Sequence, residues 1–115
     1  MIFIIDDDAA MARCIARVCK GFKSKIYSNA IAAINATNDR LPKLIFLDIL
    51  LDGPDGFTLL NELASYPDTC KIPIVIASSL DLKESDLSSY NVVGILSKDS
   101  MTPSDILSYA EKYDS

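Results

Sequence analysis

The chain has no histidine. It can therefore carry neither a phosphohistidine, nor a His general base, nor a His-ligated metal, and any chemistry must rest on carboxylates, lysine and hydroxyls. Cys14, Cys19 and Cys70 are odd in number and show no CxxC spacing, which argues against a disulfide framework or a zinc site and for a reducing compartment. All three are expected as small apolar packers. Neither GxxxxGK(S/T) nor GxGxxG occurs, so nothing here is built to grip a nucleotide. There is no run of basic residues, and the net charge is −5, which speaks against direct nucleic-acid binding. The opening Met1 to Ile5 has no basic flank and breaks at Asp6, well short of a signal peptide or a membrane span. With 115 residues and no linker, repeat or low-complexity stretch, the expectation is one soluble, cytoplasmic domain over residues 1–115.

What is present is a set of short apolar runs that each end on a polar residue. Phe3-Ile4-Ile5 stops on Asp6-Asp7-Asp8, Ile45-Phe46-Leu47 on Asp48, Ile74 to Ala77 on Ser78-Ser79, and Gly94 to Ser97 on Lys98. Runs this short and this continuously apolar predict parallel strands buried on both faces by helices. Ser24 to Tyr27, where Lys23 and Lys25 alternate with smaller residues, predicts an edge strand guarded by charge. Helices are expected between the strands. The first follows Asp8, with Met11, Ile15 and Val18 inward and Gly21 as its stop; the second opens at Ser28 or Asn29 and uses Ile31 and Ile34. The third starts near Asp55-Gly56 with Phe57, Leu60 and Leu63 inward, and Pro67 bars its continuation. A fourth is expected from Leu82 to Tyr90 with Asp81 and Glu84 spaced like a capping box. The fifth starts at Thr102, with Pro103 at its first position, Asp105 three residues after the cap, and Ile106, Ala110 and Tyr113 on one face.

Five alternations of strand and helix predict a doubly wound, flavodoxin-like α/β domain with strand order 2-1-3-4-5 and helices on both faces. Ligands of such sheets bind outside the carboxyl ends of the strands, at the switch point between strands 1 and 3. Asp6, Asp7 and Asp48 then meet across that cleft. Two carboxylates about 4 Å apart repel by about 4 kcal/mol at an effective dielectric near 20, and a bound cation relieves the repulsion. Mg²⁺ suits such a set, since it takes oxygen ligands and is held by one or two carboxylates plus phosphate oxygens. Lys98 adds a positive charge and Ser78 a hydroxyl for a phosphoryl oxygen. A carboxylate that is itself phosphorylated would need no phosphate-cradling loop.

In their order, Phe3 to Asp7, Leu44 to Gly56, Ile72 to Ser79 and Gly94 to Lys98 resemble the receiver domain of two-component response regulators over essentially the whole chain. The resemblance implies a phosphoacceptor at Asp48, a direct Mg²⁺ ligand at Asp7, and a second acid, Asp6, that acts largely through water. It also implies a metal-binding backbone carbonyl at Leu50, a phosphoryl-binding hydroxyl at Ser78 and a phosphate-pairing ammonium at Lys98. The implied partners are a sensor histidine kinase or phosphotransfer protein and a downstream protein target, with neither nucleic acid nor membrane bound directly. Leu50 and Leu80 stand at the positions that flank an attacking water in receivers, so the phosphorylated form is expected to be long-lived. Three positions depart from the family pattern: Asp52 stands where Pro is usual, Ile95 where an aromatic switch residue is usual, and Asp99 where Pro normally follows the lysine.

Two other functions compete. One is a receiver-like interaction module that is never phosphorylated. The other is a small haloacid-dehalogenase-like phosphatase with Asp6 as nucleophile, which Ala9-Ala10 after Asp8 and the lack of a later acidic pair disfavour.

Overall fold

A computed structural model describes residues 1–51, 55–79 and 82–114. The order is β1 (Ile2–Ile5), α1 (Ala9–Val18), β2 (Ser24–Tyr27), α2 (Ala30–Asp39), β3 (Leu44–Leu47), α3 (Gly56–Ala64), β4 (Ile74–Ser78), a 3₁₀ turn (Glu84–Leu87), β5 (Val92–Ser97) and α4 (Pro103–Tyr113). All strand pairings are parallel and the sheet order is β2-β1-β3-β4-β5, the flavodoxin-like arrangement expected from the pattern.

Alternation along each strand feeds two cores. Phe3, Ile5, Ile45, Leu47, Ile74 and Ile76 pack with Leu59, Leu60 and Leu63 under α2 and α3. Ile2, Ile4, Leu44, Phe46 and Val75 pack with Ile15, Ile106 and Ala110 under α1 and α4. Because both faces are covered, β1 and β3 are buried at every position, which is why their sequences run apolar without a break. β2 lies at one edge, with Ile26 42% exposed and Lys25 exposed beside it.

Helix starts follow the caps. Asp8 accepts hydrogen bonds from the N–H groups of Ala10 and Met11, Asn29 from that of Ala32, and Asp55 from that of Thr58. Thr102 and Asp105 form the full reciprocal capping box. Each such cap contributes about 1 kcal/mol.

Four local expectations are corrected. α1 ends with Cys19 as its C-cap, two residues before Gly21, which lies in the following turn. Ile31 is 55% exposed; the buried stripe of α2 runs through Ala30 and Ala33, with Ile34 half-buried beside it. Cys14 is exposed, whereas Cys19 is buried. The helix expected from Leu82 to Tyr90 is reduced to a four-residue 3₁₀ turn whose N-cap, Lys83, makes no side-chain capping bond. Serines there bond locally instead of supporting a helix, as when the Ser88 hydroxyl donates to the Ser85 carbonyl at 3.2 Å. Asp81, half of the expected capping box, lies outside the described residues.

Candidate functional site

The polar residues sit just past the strand ends, and the sheet ladder holds them there. The Asp6 N–H donates to the Tyr27 carbonyl at 3.0 Å and the Asp48 N–H to the Ile5 carbonyl at 2.9 Å, so both aspartates continue the register of β1 and β3. The Lys98 N–H donates to the Ser78 carbonyl at 3.0 Å and ties the ends of β4 and β5 together in the same way. Asp6, Asp48 and Ser78 are buried; Asp7 is exposed.

Each buried carboxylate is fixed by a turn of its own. Asp6 Oδ1 accepts from the Asp8 N–H at 2.9 Å and Asp48 Oδ1 from the Leu50 N–H at 3.2 Å. Their other oxygens share one ammonium: Lys98 Nζ lies 2.8 Å from Asp6 Oδ2 and 3.0 Å from Asp48 Oδ2. The contact with Asp48 is a hydrogen bond, whereas the buried Asp6 Oδ2 receives the charge without a hydrogen bond of acceptable geometry. Burial is the dominant influence on Asp6 and raises its pKa above 3.8, although Lys98 and the Asp8 N–H pull the other way. Burial also works against the Lys98 ammonium, but its two carboxylate partners outweigh it and the pKa is raised above 10.5.

The loop after Asp48 depends on a glycine. A Cβ at Gly56 would lie 2.6 Å from Ile49 Cα and 2.8 Å from the Asp48 carbonyl oxygen. Only glycine lets α3 start this close to the loop, where the Gly56 N–H donates to the Ile49 carbonyl at 2.9 Å.

Carboxylate oxygens of Asp6, Asp7 and Asp48 lie within 4.8 Å of one another. Three carboxylates this close together, two of them buried, fit a hard divalent cation. The response regulator receiver domain family matches residues 2–111. The chain belongs to that family. This receiver superposes on the receiver domain of NtrX from Brucella abortus with a TM-score of 0.84 and 26% identity, over 98% of this chain and 97% of that one. It is 26% identical over 101 residues, 84% of its length, to the probable transcriptional regulator ycf29 of Porphyra purpurea. A 41-residue stretch is 44% identical to response regulator PleD of Caulobacter vibrioides. The matches span 48% of ycf29 and 9% of PleD, so the receiver spans no more than about half the length of these curated relatives. Among the described residues, no helix is long and apolar enough to cross a membrane.

Asp6, Asp7, Asp48, Ser78 and Lys98, all singled out from the sequence, therefore lie at the carboxyl ends of neighbouring strands. Leu50 is 52% exposed; Asp52 and Leu80 lie outside the described residues. Asp99 is exposed and is not an ion-pair partner of Lys98, whose partners are Asp6 and Asp48. Sequence reasoning gave no role to Gly56 and did not anticipate the Lys98–Asp6 pair. The first was legible as a glycine directly after a helix-capping aspartate; the second joins residues 92 positions apart and leaves no local signal.

Proposed function

We propose that this receiver accepts a phosphoryl group on Asp48 from the phosphohistidine of a sensor histidine kinase or phosphotransfer protein, and signals to a downstream protein through a change in its surface. The observation that carries the proposal is the Asp48 carboxylate, buried at a strand end, hydrogen-bonded to Lys98 and grouped with Asp6 and Asp7. An Asp48 carboxylate oxygen attacks phosphorus, the bond from phosphorus to the donor imidazole breaks, and an acyl phosphate forms. Such transfer asks mainly for positioning and charge neutralisation. Lys98 would follow the charge from the carboxylate to the new phosphoryl oxygens, and the Ser78 hydroxyl would bind one of them. Asp7, Asp48 and the Leu50 carbonyl would hold Mg²⁺ directly, with Asp6 acting through water. The ion would supply further neutralisation of the phosphoryl oxygens. Residues 1–115 would then form a receiver domain acting in the cytoplasm, as a phosphoacceptor rather than an enzyme.

Intact-mass measurement after incubation with acetyl phosphate and Mg²⁺ tests this. One phosphoryl group should be gained by the wild type and none by Asp48→Asn; a modified Asp48→Asn, or modification at Asp6, would refute the assignment. Mg²⁺ should also raise the melting temperature, and Asp7→Ala should reduce that gain. A second reading, an interaction module that is not phosphorylated, is favoured by Ile95, by Asp99 and by the 3₁₀ turn in place of a helix before β5. It predicts no mass change with or without Mg²⁺.

A further inference from the structure

At the end of the sheet opposite Asp48, a groove of about 710 Å³ opens between the last turns of α2 and α3 and the loops that lead from them into β3 and β4. Its volume falls in the range of small-molecule sites. The buried side chains of Leu63 and Thr69 contribute to its lining, and the Thr69 hydroxyl is already spent on the Leu63 carbonyl at 2.6 Å. Leu41 and Tyr66, 46% and 54% exposed, are two of the most exposed large apolar side chains among the described residues, and both line this groove.

Its charge is one-sided. Asp39, Glu62 and Asp68 line it against the single cation Arg40. None of the three carboxylates belongs to an ion pair among the described residues. Two helices end here, and neither has a basic residue in its last turn, so the negative ends of both helix dipoles add to the carboxylates. The apolar walls distinguish the groove from an ordinary acidic surface: they give an occupant something to bury while its charge is neutralised at the rim. An aromatic ring exposed beside carboxylates also favours a cation over its face.

We infer that this groove is a second binding site, for a small organic cation: an amine or guanidine carried on an aromatic or alkyl body. The body lies against Tyr66 and Leu41, and the cationic head faces Asp39, Glu62 and Asp68. The site shares no residue with the cleft at the other end of the strands.

The test is amide NMR of the full chain titrated with tyramine, with spermidine as an alkyl cation, and with 4-ethylphenol, which keeps the ring and lacks the ammonium. Tyramine at up to about 10 mM, well above a millimolar dissociation constant, should shift the amides of Arg40, Leu41, Leu63 and Tyr66 and leave Asp6 and Asp48 unmoved. 4-Ethylphenol should bind about tenfold more weakly. The Glu62→Gln/Asp68→Asn double variant should lose about tenfold in tyramine affinity, and Tyr66→Ala should weaken tyramine more than spermidine. These variants change exposed or half-buried side chains, so unchanged amide spectra elsewhere confirm the fold. No shift in the groove with either amine, equal binding of the phenol, or full affinity in the double variant would overturn the assignment. Binding of an arginine-containing peptide with no response to either free amine would do so too, and would move the groove to a protein partner.

Discussion

The two sides of the sheet are built differently. β1 and β3, which carry Asp6 and Asp48 at their ends, are buried at every position and flanked by strands on both sides. β5, which carries Lys98, is an edge strand, half-buried along most of its length, with an irregular register where Val75 pairs with Gly94 and one residue of β5 is left over. A 3₁₀ turn precedes it where a helix was expected. The Asp48 side is therefore fully enclosed, whereas the lysine side packs Val92, Val93, Ile95 and Leu96 only at the margins of the two cores, with Tyr90 donating to Asn61 Oδ1 at 2.7 Å beside it. Opening free energies follow buried apolar contact, so a new charge at Asp48 will move the β5 side first.

Lys98 bridges the two sides, since its ammonium reaches both Asp6 and Asp48. Lys98→Ala leaves two buried carboxylates, 2% and 7% exposed, without their cation and should cost about 3 kcal/mol in denaturant unfolding. Adding Asp6→Asn to that variant should restore much of the loss. If the single variant is as stable as wild type, the pairs do not hold the two sides together.

A sharper probe is the same substitution made once on each side. At Gly56 the new Cβ meets backbone of the Asp48 loop, so Gly56→Ala should cost about 2 kcal/mol and slow phosphorylation by acetyl phosphate. At Gly94 the new Cβ meets the ring of Tyr109, a half-buried side chain that can swing outward, so Gly94→Ala should cost about 1 kcal/mol or less. Equal costs would show the two sides to be equally rigid.

The smallest effect concerns pH. Burial raises the pKa of Asp6 above 3.8 in the fold, so this residue favours the folded state fully below its unfolded value, and that contribution is lost as pH rises through the folded value. Asp6→Asn should therefore melt slightly higher than wild type at neutral pH without Mg²⁺, and the difference should vanish as the solution is acidified through the folded value. For Lys98, also raised, the contribution is complete below 10.5 and lost as pH climbs through its folded value. A melting difference between Asp6→Asn and wild type that grows on acidification would contradict the assigned direction.

The strand ends were legible because a strand covered on both faces has no reason to stop on a carboxylate or an ammonium except to present it. The capping box at Thr102 and Asp105 was legible because it is local. Ile31 was misplaced because apolar spacing at 31 and 34 fits a buried stripe as well as 30 and 33 do, and only packing against the neighbouring helix decides which face turns inward. The segment before β5 was misjudged for a related reason: helical spacing there was weak, and serines that bond their own turn prevailed. Residue type alone makes Cys14 a packer, but its position on α1 faces solvent.

The two thiols of α1 have a practical consequence. Cys14 is exposed, while Cys19, five residues on, is fully buried and its thiol is pushed up to about 11 by burial, with Asp114 adding to the effect. A thiol reagent at neutral pH meets an accessible sulfur at the first and a protonated, sealed one at the second. Cys19 can be modified only when the C-terminal end of α1 lifts from the sheet. With the half-buried Cys70 replaced by serine, the slow phase of labelling times that lifting directly, without a dye.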